Sequence, residues 1–163
     1  MTRSLRRLTG SSVCLLLLGV AGCGGGPAEQ PPPPTATAAP VVAWHSDLDQ
    51  ALGAAAAEDR LVVVDLQAEW CVWCTVMRTT SLRDPRVAGL IDARAVPVRL
   101  EVEGPGQELA TRHGITSLPA LLTLRPDGSE VGRVVGYRGP EALLRALEPL
   151  LTRGPTGPSP RPQ

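Results

Sequence analysis

Lysine is absent from the chain, and histidine occurs only twice, as His45 and His113. All sixteen basic residues are arginines, they are matched by sixteen acidic residues, and they form no basic run. Because nucleic-acid binding requires a clustered basic surface, this composition argues against a nucleic-acid partner. No internal repeat is visible either, which excludes repeat architectures.

The N-terminus lacks an apolar run long enough for a comfortable membrane span. Arg3, Arg6 and Arg7 precede a mostly apolar segment, residues 8–20, which is shorter than the ~20 residues that a transmembrane helix needs. A basic start followed by a short apolar segment is typical of a secretory signal peptide. We therefore expect residues 1–22 to be a signal peptide, and its removal leaves a mildly acidic mature chain.

The end of this segment, "VAGC" at residues 20–23, resembles the bacterial lipobox because small residues precede a cysteine. That resemblance implies cleavage before Cys23 and attachment of lipid to this residue. A diacyl or triacyl anchor holds more firmly than a single acyl chain, so the mature protein would stay at a membrane. The alternatives are an ordinary signal peptide cut nearby and an uncleaved anchor.

Two segments rich in proline and glycine lie on either side of a single domain. Residues 23–40 contain "GGG" and "PPPP", which predict a linker that is flexible at first and stiffer later. Residues 153–163 predict a disordered tail. Residues 41–152 are long enough for one small domain with a single core, and we expect a monomer.

Hydrophobic periodicity within this domain predicts an α/β fold. We expect five helices, at 47–58, from the CVWC segment to about 80, at 84–91, at 106–114 and from Pro140 onward, and Ser46 is the expected N-cap of the first. We expect four strands, at 61–67, 95–103, 120–124 and 130–136. Pro97 indicates an edge strand or a strand start, and Pro149 is expected to end or bend the last helix. This order predicts a mixed sheet with helices on both faces.

Only two cysteines, Cys71 and Cys74, would remain as free thiols in the exported domain. A disulfide that closes so short a loop contributes little to stability, so the pair is better explained by chemistry. At the start of a helix, Cys71 would lie near unpaired backbone N–H groups and the positive end of the helix dipole, which favour a reactive thiolate. Cys74, one turn later, would then attack a mixed disulfide formed on Cys71.

A Cys-x-x-Cys pair is also half of a zinc site, which is the competing interpretation. The other half requires a second pair of cysteines or histidines, whereas His45 and His113 are far apart in the sequence. We therefore expect neither a metal nor a cofactor. His113 precedes Gly114 at a predicted helix end and is interpreted as a residue that complements the helix dipole.

The segments "VVDLQAEWCVWC", "LRDPRV" and "HGITSLPALLTLRPDGSEVGRVVGY" resemble the thioredoxin superfamily, and most of all the C-terminal thioredoxin-like domain of DsbD-type thiol:disulfide interchange proteins. The resemblance covers about residues 45–151. It implies a thioredoxin fold and a thiol–disulfide oxidoreductase, in the reducing direction, that acts on protein thiols and disulfides. It also implies a separate membrane protein as electron donor or acceptor, since this chain lacks the transporter's membrane-spanning part.

The same resemblance implies roles for three residues outside the cysteine pair. Asp65 lies in an apolar run where a carboxylate is costly to bury without a partner or a proton, and in the family this acid assists proton transfer at the second cysteine. Pro119 falls on the family's cis-proline position, where the backbone of Leu118 and Pro119 would pair with a substrate chain. The alternatives are an inert, hydrogen-bonded Asp65 and a proline that simply starts a strand.

The residues around the cysteines are candidates for partner contact. Trp70, Val72 and Trp73 are expected to form an apolar surface that a partner covers, although Trp70 is equally compatible with ordinary packing. Glu69 is expected to be exposed, where it would at most tune the local charge. Arg78 stands where close relatives can carry an acid four residues after the second cysteine, and an arginine cannot act as a base.

Three functions are compatible with these observations: a disulfide reductase, an oxidase or isomerase of similar shape, and a non-catalytic thioredoxin-fold adaptor or chaperone. The intact cysteine pair, Asp65 and Pro119 argue against the third. The lipobox and the resemblance together place the expected protein in the cell envelope, anchored to a bacterial membrane and facing the extracytoplasmic space.

Overall fold

The computed structural model describes residues 42–156. The expected signal peptide, Cys23, the linker and the end of the tail lie outside the described residues. The helices are α1 (Leu48–Glu58), α2 (Val72–Thr79), α3 (Pro85–Arg94), α4 (Gln107–Arg112) and α5 (Pro140–Leu151), with a 3-10 helix at Ser81–Arg83. The strands are β1 (Leu61–Gln67), β2 (Ala95–Glu101), β3 (Ala120–Leu124) and β4 (Glu130–Val135).

The four strands form one mixed sheet in the order β2-β1-β3-β4. Strand β1 pairs with β2 in parallel and with β3 antiparallel, and β3 pairs antiparallel with β4. The mixed sheet that the sequence predicts is therefore confirmed. Strand β2 lies at the edge, which agrees with the presence of Pro97, because proline has no backbone N–H to donate to a neighbouring strand.

The core has two parts, one on each face of the sheet. Side chains alternate along β1, so Leu61 and Val63 face one side and Val62, Val64 and Leu66 face the other. The first side packs against α2, α3 and α5, which contribute a set of buried apolar residues: Met77, Val87, Ala88, Ile91, Leu143, Leu147 and Leu151. The second side packs against α1 and α4 through Ala51, Ala55, Leu109 and Ala110.

Most predicted bounds differ from the structure by a few residues, and the predicted N-cap of α1 is wrong. The N-cap of α1 is Asp47, whose carboxylate accepts the backbone N–H of Gln50 at 2.8 Å, and not Ser46. Pro149 does not end α5, because the helix continues to Leu151. Pro149 lies on the exposed side of α5, while Leu151 is 2% exposed and fixes the last turn against the core.

Helix α3 is longer than expected and runs directly into β2. Its predicted end at residue 91 falls short of Arg94, and Ala95 is both the C-cap of the helix and the first residue of the strand. The burial of Ile91 at 0% exposure continues the apolar face into this last turn. Within residues 42–156, none of the helices combines the length and the apolar composition needed to cross a bilayer.

The loop after β2 closes against the sheet at Gly106. A β-carbon at this position would lie 3.0 Å from the carbonyl oxygen of Glu101, from Cβ of Leu100 and from Cδ2 of Leu66. Two of these three atoms belong to the backbone or to the first side-chain carbon, and they cannot move without moving the strand. Glycine at this position is therefore required by close approach rather than by its dihedral angles.

We expect Gly106→Ala to lower the free energy of unfolding by about 1–3 kcal/mol through overpacking. Gly53→Ala is the matched control, because Gly53 lies inside α1, where an added β-carbon would have no neighbour within 4 Å, and alanine in a helix interior is about 0.5–1 kcal/mol more favourable than glycine. Urea denaturation followed by circular dichroism measures both. A lower free energy of unfolding for Gly106→Ala and a higher one for Gly53→Ala would support the close approach at Gly106. An unchanged free energy of unfolding for Gly106→Ala would contradict it.

Candidate active site

Cys71 and Cys74 form a disulfide at the junction between β1 and α2. Cys71 is the N-cap of α2, and its sulfur accepts the backbone N–H of Cys74 at 3.1 Å. The carbonyl of Cys71 also accepts the N–H groups of Cys74 and Thr75, at 3.1 and 3.2 Å. The first cysteine therefore occupies the helix start that the sequence predicts, and one backbone donor points at its sulfur.

The two cysteines are almost equally buried, with 6% of Cys71 and 4% of Cys74 exposed. They form a small apolar cluster with Ala68, against which Val102 and Leu118 pack. Burial therefore does not separate the two thiols. What separates them is the hydrogen-bond donor at the Cys71 sulfur and the place of Cys71 at the helix terminus.

The Leu118–Pro119 peptide bond is cis, as the resemblance implies. Leu118 packs against the cysteine cluster, and the carbonyl of Pro119 accepts the backbone N–H of Gly136 at 2.8 Å. Pro119 thus lies directly before β3, and the residue before it contacts the cysteine pair. Backbone pairing of this segment with a substrate chain stays a prediction.

Asp65 is 2% exposed and lies on the sheet face against which α2 packs. In the parallel register of β1 and β2, Asp65 is the partner of Arg99, and the Arg99 Nε donates to Asp65 Oδ2 at 2.7 Å. The buried carboxylate therefore has the partner that its location demands.

Burial raises the pKa of Asp65 above its ordinary value. The charge and hydrogen bond of Arg99 oppose this shift, as does the charge of Arg78, while the nearby Glu101 adds to it. Desolvation is the larger effect because both strands and the helix exclude water from the carboxylate. Arg78 follows Cys74 by one helical turn on α2 and supplies a positive charge that acts on Asp65.

Three exposed apolar side chains surround the disulfide: Trp70 is 65% exposed, Val72 is 72% exposed and Trp73 is 57% exposed. Ordinary packing is therefore not the role of Trp70. The indole N–H of Trp70 donates to Oε1 of Glu103 at 2.8 Å, and the ring of Trp73 lies 5.1 Å from that of Tyr137. Each tryptophan thus contacts a residue outside the cysteine motif, Glu103 after β2 and Tyr137 after β4.

The remaining sequence candidates lie elsewhere or contribute little. Glu69 is exposed, as expected. His113 is the C-cap of α4, and its Nδ1 lies 3.0 Å from Oε2 of Glu130, so it forms a specific contact rather than a general dipole interaction. No group of three histidine, cysteine, aspartate or glutamate side chains within residues 42–156 is arranged to hold a metal ion.

Arg99, Glu103 and Tyr137 were not identified by the sequence analysis. Part of the signal for Arg99 was present, because β1 carries one charged residue, Asp65, and β2 carries two, Arg99 and Glu101, among buried apolar ones. Pairing Asp65 with Arg99 requires the register of the strands, which the sequence does not give. Glu103 and Tyr137 belong to loops whose course depends on the tertiary fold.

Comparison with known proteins agrees with this geometry. Residues 43–126 match the family model described as thioredoxin-like. A thioredoxin from Thermus thermophilus superposes with a TM-score of 0.63 at 33% identity, over 69% of this chain and 90% of that one. The chain belongs to the thioredoxin-like family, and its fold and cysteine pair are those of a disulfide oxidoreductase.

Two further similarities concern DsbD. The thiol:disulfide interchange protein DsbD of Pseudomonas fluorescens is 33% identical over 104 residues, which is 61% of this chain but only 18% of that protein. The oxidised C-terminal domain of Neisseria meningitidis DsbD superposes with a TM-score of 0.55 at 27% identity, over 66% of this chain and 98% of that domain. The similarity is thus to one domain of a much longer protein.

Limiting iodoacetamide is expected to label the reduced protein mainly at Cys71 near neutral pH. The Cys74 N–H and the helix dipole favour the Cys71 thiolate, and the thiolate is the species that reacts. Tandem mass spectrometry assigns the labelled residue. Cys74→Ser should be labelled as fast as the wild type and Cys71→Ser far more slowly, whereas faster labelling at Cys74 would contradict this assignment.

Proposed function

We propose that this protein is a membrane-anchored, extracytoplasmic protein-disulfide reductase that exchanges electrons through Cys71 and Cys74. The observation that carries the proposal is the Cys71–Cys74 disulfide at the start of α2, with a backbone N–H directed at the Cys71 sulfur. A structural disulfide of this span would add little stability, whereas a reactive pair uses this location.

In the first step, the Cys71 thiolate attacks one sulfur of a partner disulfide. A bond forms between Cys71 and that sulfur, the partner's own disulfide breaks, and its second sulfur leaves as a thiolate that takes up a proton. The N–H of Cys74, at 3.1 Å from the Cys71 sulfur, stabilises the attacking anion.

In the second step, Cys74 resolves the mixed disulfide. Its thiol loses a proton and attacks the Cys71 sulfur, so that the Cys71–Cys74 disulfide forms and the partner leaves with both sulfurs reduced. Asp65 accepts that proton, directly or through water, and its raised pKa makes it a better match to a thiol than an ordinary aspartate. The partner gains two electrons and the protein loses two.

Partner contact is assigned to the surface around the disulfide. Trp70, Val72 and Trp73 are exposed apolar residues beside a buried, reactive pair, an arrangement typical of protein contact surfaces. The cis Leu118–Pro119 segment lies next to the cysteines and offers backbone groups to an extended chain. Both features favour a protein disulfide over a small-molecule substrate.

Location and electron supply rest on the sequence and on the relatives. The segment before Cys23 supports a lipid anchor, and residues 23–40 would hold the domain away from the membrane surface. The similarity to a single domain of DsbD supports a separate redox protein in the membrane that regenerates the reduced pair.

The purified domain is expected to reduce insulin in the presence of dithiothreitol, with turbidity of the released chains as the measurement. Cys71→Ser should abolish this activity because the attacking sulfur is lost. A wild-type domain that reduces no faster than this variant would favour the adaptor function. A reduction potential near that of strong oxidants, at about −120 mV rather than about −270 mV, would favour the oxidase.

Trapping of partner proteins also distinguishes the roles of the two cysteines. Cys74→Ser should hold partner proteins as stable mixed disulfides on Cys71, because the attacking thiol survives and the resolving one is gone. Cys71→Ser should hold few. Equal trapping by both variants would contradict the assigned order of attack.

Replacing Cys23 tests the anchor independently of the redox site. Cys23→Ala is expected to abolish labelling with a radioactive fatty acid and to release the protein from sedimented membranes. Cys14→Ala is the matched control, because that residue would be removed with the signal peptide. Unlabelled wild-type protein that stays in the membrane fraction would mean an uncleaved signal rather than a lipoprotein.

A further inference from the structure

The segment before α1 lies against the outer edge of β2, beside the arginine that pairs with Asp65. His45 donates its N–H to the carbonyl of Pro97 at 2.9 Å, and its carbonyl accepts the N–H of Arg99 at 2.9 Å. This is an isolated parallel bridge to the edge strand. The backbone on the C-terminal side of Trp44 is thus fixed to β2 by bonds that do not depend on the tryptophan side chain.

Trp44 covers the guanidinium of Arg99. The central carbon of that group lies 4.4 Å from the centroid of the Trp44 ring, while Nε donates to Asp65 Oδ2 at 2.7 Å. The planar guanidinium therefore uses its face for the ring and its edge for the carboxylate, a combination that arginine geometry allows. The Arg99 side chain is only 20% exposed in this position.

We propose that Trp44 is a positioning residue of the redox site, which holds Arg99 against Asp65 and so sets the pH range in which Asp65 serves Cys74. This inference rests on the proposed role of Asp65 in the second exchange step. It adds to that role a residue in the segment that leads from the linker into the domain.

Few charged groups surround Asp65, so the position of Arg99 affects the ionisation of its carboxylate. Strand β2 supplies Arg99 and the opposing charge of Glu101, and α2 supplies the charge of Arg78. On β3, the paired residue is the apolar Leu121. Burial disfavours the carboxylate, so its ionisation depends on the cations held nearby.

Loss of the Trp44 ring is expected to shift the pKa of Asp65 in one direction, upward. Without Trp44, the Arg99 side chain gains freedom and water reaches the ion pair, which weakens its hold on the carboxylate. The pKa of Asp65 then rises further, so a higher pH is needed before Asp65 can take the proton of Cys74. A cation–π contact of ordinary strength corresponds to a shift of about half a pH unit.

The experiment follows the two exchange steps with Ellman's reagent as the probe disulfide. Attack by Cys71 releases the first chromophore, and resolution by Cys74 releases the second. In Trp44→Leu, the first phase is expected to be unchanged, and the pH midpoint of the second phase should move up by about half a unit. Trp44→Leu keeps an apolar side chain against the core and removes the aromatic face. Trp44→Phe, with a weaker face, should give a smaller shift in the same direction.

Asp65→Asn distinguishes a Trp44 that acts through Asp65 from a Trp44 with a structural role alone. If Trp44 acts through Arg99 on Asp65, the shift caused by Trp44→Leu disappears in the Asp65→Asn background. An unshifted second phase in Trp44→Leu, or the same shift with and without Asp65, overturns the inference. If Trp44→Leu does not fold, the comparison of wild type with Trp44→Phe decides, and equal pH profiles overturn it. A wild type without a second phase contradicts the proposed function itself, and the inference falls with it.

Discussion

The parallel pairing of β1 with β2 brings a buried carboxylate and an arginine together, and the proposed proton transfer at the cysteine pair depends on this contact. Asp65 and Arg99 face each other in register, with 3% of the Asp65 side chain and 20% of the Arg99 side chain exposed. Breaking a buried pair by removing one partner typically costs about 3–5 kcal/mol, because the other charge is left without compensation. Replacing such a pair with apolar residues is often neutral or stabilising, so stability alone does not explain its presence. The role in proton transfer that we propose for Asp65 would account for it.

Strand β1 serves both halves of the proposed chemistry. It is buried along almost its whole length, which places Asp65 in a medium where its pKa is raised. It then ends four residues before Cys71, and the chain turns directly into α2, so the first cysteine caps the helix. Shifting the strand by one residue would move Asp65 to the opposite face of the sheet, away from α2. The carboxylate and the helix start are thus fixed relative to each other by one strand.

The sequence predicts the elements well because each carries its own local signal. The β-branched run of β1 and the Asp84-Pro85 start of α3 are examples, and both are found as expected. Helix α5 does not end at Pro149, because the burial of Leu151 in the core outweighs the local preference of proline. Arg99 was missed for a different reason, since its partner is 34 residues away and is identified only by strand register. Trp44 lies outside any periodic pattern of the sequence. Its contact with Arg99 depends on the pairing of the segment before α1 with the outer edge of β2, which only the tertiary structure shows.

The use of arginine throughout this chain has a consequence at Asp65. A lysine at position 99 would place a compact, strongly hydrated charge in a partly buried site, and burial lowers the pKa of lysine readily. Such a residue would lose its proton more easily when the carboxylate takes one up. A guanidinium stays charged through any pH at which thiols exchange, so Arg99 opposes the protonation of Asp65 at every stage. It also stacks on Trp44 while bonding sideways to Asp65, which an ammonium group satisfies less well. Arg99 therefore acts as a fixed positive charge beside the carboxylate, and in the proposed mechanism the groups that change protonation during exchange are Asp65 and the thiols of Cys71 and Cys74.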